Sequence, residues 1–110
     1  MSDLLAIHPA AGMSSQLFID EDDRVVYLDG ERCQLTQQEY SLLSELAQNA
    51  DKPVSRQELL RAAWGYISPG DTRTVDVHVK RLREALGEAA NLIETVRGAG
   101  YRLTGQALVK

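Results

Sequence analysis

Cysteine is nearly absent. Cys33 stands alone, so no internal disulfide can form, which fits a reducing compartment such as the cytosol. Metal ligands are as sparse: His8, Cys33 and His78 lie far apart without paired spacing, so neither a metal site nor a cofactor is expected. No apolar run approaches the roughly 20 residues that span a bilayer. The N-terminus lacks the basic region and long apolar core of a signal peptide. The chain is therefore expected to be cytoplasmic and to have no membrane role. There is no phosphate-cradling glycine loop, no nucleophile elbow and no internal repeat, and nothing suggests an enzyme. Positive charge is also short. Twelve Lys and Arg face sixteen Asp and Glu, for a net charge of −4 and a pI near 5.1. Taken whole, that balance argues against a general polyanion binder.

What is present describes one globular domain. The chain has 110 residues, 44% hydrophobic and 25% charged. Its charge is unevenly placed. Residues 1–30 hold six acidic residues against Arg24 alone, whereas residues 73–102 hold six basic residues against four acidic ones. Such asymmetry is a functional clue in itself.

The first third reads as a small antiparallel sheet. Leu4-Leu5-Ala6-Ile7 is a short apolar piece ahead of a loop, and residues 1–16 read as a strand or linker leading into the sheet. Leu17-Phe18-Ile19 and Arg24–Leu28 suit strands, separated by the polar turn Asp20-Glu21-Asp22-Asp23. Asp29-Gly30 is a tight-hairpin signal before Glu31–Leu35. The pattern then turns helical. Thr36-Gln37-Gln38-Glu39 and Ser55-Arg56-Gln57-Glu58 are both capping boxes, in which hydroxyl and carboxylate satisfy orphan amides at a helix start. The first opens a helix with Tyr40, Leu43 and Leu46 at helical spacing; the second opens one carrying Leu59, Leu60, Ala63 and Trp64 and ending at Gly65.

A third helix is predicted from about Asp71 to Leu86, with Gly87 as its stop. At 100° per residue, Val75, Val79, Leu82 and Leu86 fall within about 60° of one another and form its buried stripe. Arg73, Val77, Lys80 and Glu84 lie opposite, flanked by Arg81 and Thr74. Val77 reads either as a tolerated surface valine or as a contact to a thymine methyl in a major groove; its basic neighbours favour the second. Asp76, on the flank, is either solvated or paired with Arg73 or Lys80. Beyond the helix, Leu92–Val96 and Tyr101–Leu103 form a hairpin around Arg97-Gly98-Ala99-Gly100. It is either a plain surface hairpin or a wing that delivers Arg97 to a DNA backbone or minor groove.

The ordered series extends from Leu35-Thr36 and Glu39-Tyr40 through Val54-Ser55-Arg56, Trp64-Gly65-Tyr66, Arg73–Val79 and Arg81-Leu82-Arg83 to Thr95–Leu103. It closely resembles the DNA-binding (effector) domain of OmpR/PhoB-class response regulators, over about residues 17–104. The resemblance implies an α+β winged helix-turn-helix: an N-terminal antiparallel four-stranded sheet, three helices, a C-terminal β-hairpin wing, and residues 105–110 as a tail. It implies transcription regulation through double-stranded DNA, with the third helix in the major groove. Val77, Arg81 and Arg97 match base-contacting positions. Trp64, Arg73, Thr74, His78, Lys80, Arg83, Thr95 and Tyr101 match positions at the DNA backbone. The loop with Tyr66, Ile67, Ser68 and Asp71 corresponds to a segment that contacts RNA polymerase. Partners implied are DNA, RNA polymerase and a second copy on tandem direct repeats. Phosphorelay control would belong to a receiver domain in a longer parent, since the 16 residues ahead of the sheet are too few to build one. The chain thus reads as an excised effector domain or a stand-alone regulator. The alternative function is a winged-helix protein-interaction module, against which the basic residues of the third helix speak.

Overall fold

The computed structural model describes residues 16–65, 71–104 and 107–109. Strands β1 (Leu17–Asp20), β2 (Val25–Leu28) and β3 (Glu31–Cys33) precede helices α1 (Gln37–Gln48), α2 (Arg56–Trp64) and α3 (Arg73–Leu86). A 3₁₀ segment (Gly87–Leu92), the hairpin strands β4 (Ile93–Val96) and β5 (Gly100–Leu103), and β6 (Ala107–Val109) follow. This is the α+β winged-helix arrangement expected from the sequence.

Local chemistry accounts for most boundaries. Asp29 (φ 52°) and Gly30 (φ 88°) both take the left-handed conformation that a two-residue hairpin needs between β2 and β3. Both capping boxes form with reciprocal bonds, Thr36 with Glu39 and Ser55 with Glu58. Helix α3 stops at Gly87 (φ 57°), whose N–H donates to the carbonyls of Arg83 and Glu84. The 3₁₀ segment beyond it has no clear signal in the sequence; it packs Ala89 and Leu92 into the core before β4 begins.

The four-stranded sheet has the order β3-β2-β1-β6, and here the expectation needs correcting. Three of its strands are N-terminal and antiparallel, but the fourth is C-terminal and runs parallel to β1, with Leu17 opposite Ala107 and Ile19 opposite Val109. The segment 105–110, expected to be a tail, thus contributes a strand. Strand β1 buries Leu17 and Ile19 completely, and its second edge needs bonding partners that β6 supplies.

The core lies between this sheet, the helices and the wing. Leu17, Ile19 and Val26 pack with Tyr40, Leu42, Leu43 and Leu46 of α1, Leu59 and Leu60 of α2, and Ile93 and Leu103 of the wing. From α3 come the four residues of the expected stripe, Val75, Val79, Leu82 and Leu86, all fully buried. The acidic turn is more than solvated charge. Asp20 accepts bonds from the N–H groups of Asp22 and Asp23, and Glu21 accepts from Ser44 and Gln48, tying the turn to α1.

Candidate nucleic-acid interface

Burial of the α3 stripe decides what the helix shows to solvent. Arg73, Val77, Lys80, Arg81 and Glu84 are exposed. Val77 is 47% accessible and is the one large hydrophobic side chain exposed among the described residues. An apolar β-branched group is thus presented on a basic surface. Arg97 is exposed at the turn of the β4–β5 hairpin.

The two flanks of α3 are held differently. On one, His78 Nδ1 lies 2.8 Å from the Thr74 carbonyl oxygen. A carbonyl only accepts, so the proton sits on Nδ1, and Nε2 carries the lone pair when the ring is neutral. The imidazole also packs edge-to-face on Trp64, with centroids 4.8 Å apart, so the C-terminal end of α2 meets the middle of α3 there. Trp64 and His78 are both half-buried.

On the other flank, Asp76 does not pair with Arg73 or Lys80. Its Oδ1 accepts from Arg56 Nε at 2.7 Å and from the Tyr101 hydroxyl at 2.6 Å. Burial would raise the Asp76 carboxyl, but these two bonds and the Arg56 charge hold it below its ordinary value. The Tyr101 hydroxyl is pushed above its ordinary value, chiefly by burial and then by its bond to Asp76.

Three residues that the resemblance places at the DNA backbone make hydrogen bonds within the protein. Tyr101 is 5% exposed, with its hydroxyl on Asp76. Arg83 directs Nε and Nη2 to the Ile93 carbonyl oxygen, at 3.1 and 2.7 Å, and Nη2 also to Thr95 Oγ1 at 3.0 Å. The Thr95 hydroxyl is the acceptor of that last bond. These pairings link residues 10 to 25 positions apart, which helical periodicity does not reveal. Arg56 was missed for the same reason: on sequence it is simply the first residue of a helix. Of the loop expected at RNA polymerase, Tyr66, Ile67 and Ser68 lie outside the described residues; Asp71 is exposed just ahead of α3.

Two glycines shape the hairpin. Gly98 takes φ +79° with open space around it, as the turn requires. Gly100 (φ +127°) is needed for a different reason. A Cβ there would lie 2.0 Å from the Val54 carbonyl oxygen. The close approach permits the paired bonds between Val54 and Tyr101, at 2.7 and 3.0 Å, which fasten the wing to the α1–α2 connection. Among the described residues no cluster of His, Cys, Asp and Glu could hold a metal, and no helix is long and apolar enough to cross a membrane.

Residues 30–103 match the family described as "Transcriptional regulatory protein, C terminal". The chain belongs to the effector domains of OmpR/PhoB-class response regulators. This effector domain is 50% identical, over 92 residues, to the transcriptional regulatory protein ResD of Bacillus subtilis; the match covers 80% of the chain and 38% of ResD. It is 48% identical to SrrA of Staphylococcus aureus over 90 residues, covering 78% of the chain and 37% of SrrA. The chain thus spans little more than a third of these curated relatives. Among solved structures, it resembles the C-terminal DNA-binding domain of RstA from Klebsiella pneumoniae, with a TM-score of 0.72 and 36% identity over 89% of this chain and 93% of that one. The RstA domain has also been solved bound to the RstA box; that structure gives a TM-score of 0.70 at 37% identity, over 78% of this chain and 88% of that one. The fold and the exposed basic helix are therefore consistent with membership of that effector-domain family.

Proposed function

We propose that α3 enters the major groove of double-stranded DNA and that the β4–β5 wing reaches the adjacent minor groove. The observation that carries this mode is the outward face of α3, where Val77 lies exposed among Arg73, Lys80 and Arg81. An isolated α-helix fits a major groove; an arginine can offer a bidentate fork to guanine, and a valine methyl can meet thymine. Arg81 and Val77 read bases from α3, and Arg97 enters the minor groove from the wing. Arg73 and Lys80 meet phosphates, aided by Thr74, His78 and Trp64 on the neighbouring flank. The acidic total charge fits this one-sided arrangement, because exposed Asp22, Asp23, Asp29 and Glu31 belong to the turns and third strand of the sheet. Non-specific attraction is then weak, and binding depends on correct base contacts and on a second copy bound at a direct repeat. In a longer parent protein, acting in the cytoplasm, a receiver domain would control this domain, and the segment around Tyr66–Asp71 would meet RNA polymerase.

Footprinting on genomic fragments, followed by titration on the protected site at several salt concentrations, tests the mode. Arg81→Ala should weaken the preferred site by about 1–3 kcal/mol and relax preference at one base pair. Lys80→Ala should weaken all sequences alike and reduce the salt slope by about one unit. Unchanged specific affinity in Arg81→Ala would refute the groove assignment, and a footprint without repeated half-sites would refute tandem binding.

A further inference from the structure

Asp76 and Arg83 are seven residues apart on α3, so they lie nearly on one line along the helix and about 10.5 Å apart. Each holds a different strand of the wing. Asp76 Oδ1 takes the Tyr101 hydroxyl of β5 at 2.6 Å, and Arg83 takes the Ile93 carbonyl and Thr95 hydroxyl of β4. Arg56, from the first turn of α2, bonds the same Asp76 oxygen at 2.7 Å. The guanidinium carbons of Arg56 and Arg83 lie 5.4 and 5.5 Å from the Tyr101 ring centroid, so two cations bear on one aromatic ring. A two-stranded hairpin is marginal by itself, and its orientation comes from what it is fastened to. Here the fastening is to the helix whose opposite flank and outer face hold the proposed DNA contacts.

We infer that Asp76, Arg83 and Arg56 are positioning residues, which clamp the wing to α3 and thereby set where Arg97 stands relative to the bases read by Val77 and Arg81. Arg83 and Arg56 then contribute to DNA binding through geometry and not as phosphate ligands. The inference rests on the proposed groove-binding mode and adds a division of labour among its basic residues: Lys80 and Arg73 carry the electrostatic attraction, Arg83 the alignment.

Lysine separates the two roles of Arg83. It serves phosphate well as a point charge, but it cannot reproduce a planar fork shared between the Ile93 carbonyl and the Thr95 hydroxyl. On the protected DNA site, Arg83→Lys and Arg83→Gln should both lose about fivefold in affinity, with the salt slope of the unaltered protein. If Arg83→Lys binds normally while Arg83→Gln loses about one unit of slope, Arg83 is a phosphate ligand and the clamp is overturned. Asp76→Asn gives a test of sign. Removing a negative charge beside a DNA-binding face should tighten binding, whereas a loosened clamp weakens it. The loss should also disappear in an Arg97→Ala background, because the clamp acts through the wing tip. Tighter binding, or losses that simply add, would contradict the inference. Amide exchange in the free protein keeps the clamp testable even if the chain binds no DNA site, a result that would remove the proposed function alone. The Ala99 N–H, bonded to the Val96 carbonyl, should exchange faster in Arg83→Gln and Asp76→Asn, with the Leu46 and Leu82 amides unchanged. Undisturbed exchange at Ala99 would overturn the clamp.

Discussion

Replacing Gly100 by alanine sets a methyl group against the fastening of the wing. The new Cβ would lie 2.0 Å from the Val54 carbonyl oxygen, 2.9 Å from the Val54 carbonyl carbon and 3.0 Å from Ser55 Cα. All three are backbone atoms, so no side chain can rotate away. Relief requires β5 to retreat from the α1–α2 connection, at the expense of the two bonds between Val54 and Tyr101, worth about 1 kcal/mol each. Holding alanine at φ +127° adds a further strain of about 1–3 kcal/mol. A total loss of about 3–5 kcal/mol follows, a large part of the roughly 5–15 kcal/mol that stabilises a domain. Gly98 provides the control. Its φ of +79° is also left-handed, but a Cβ there meets nothing within 4 Å, so Gly98→Ala should cost only about 1–2 kcal/mol. Urea unfolding followed by Trp64 fluorescence and circular dichroism compares the two. Equal losses, or a larger loss in Gly98→Ala, would refute the close-approach account of Gly100.

Thr36→Ala should lower stability by about 1 kcal/mol, because the hydroxyl that accepts from the Glu39 N–H is lost; an unchanged urea midpoint would count against that cap. Val77→Ala should leave the unfolding midpoint within about 0.5 kcal/mol while weakening sites with a thymine at the contacted position, as measured by competition between site variants. A stability loss would mean that Val77 packs against the protein. Asp76 predicts a pH dependence. Its carboxyl is pushed up by burial but held below the ordinary value near 3.8 by the bonds from Arg56 and Tyr101. Its stabilisation is thus complete above that ordinary value and is lost as pH falls through the lower value of the folded state. Between pH 6 and pH 3 the unaltered protein should lose more stability than Asp76→Asn, and parallel urea midpoints over that range would contradict the assignment.

Helix starts, helix faces and turns were legible because the interactions that make them are local. Thr36 with Glu39 and Ser55 with Glu58 lie three residues apart, so each capping box is written within one turn of chain. The stripe Val75, Val79, Leu82 and Leu86 follows from the helical period alone, and the same period points Val77 and Lys80 outward. The site was legible to the extent that exposure follows from period. Arg81 and Arg73 could be placed this way. The bonds of Arg83, Thr95 and Tyr101 could not be read this way, because they cross from one element to another.

The sequence by itself determined where the helices begin, which face each buries, where the β2–β3 hairpin turns, and that an acidic chain gathers six of its twelve basic residues on one helix and one hairpin. Only the tertiary structure decided that β1 is completed by a parallel strand some ninety residues later, that Gly100 is small to admit the Val54 carbonyl, and that Asp76 serves Arg56 and Tyr101 in preference to its helical neighbours. The division has one physical cause. Capping, periodicity and turn conformation are set by atoms a few residues apart. Strand pairing and charge pairing depend on which distant atoms the burial of the core brings within about 3 Å.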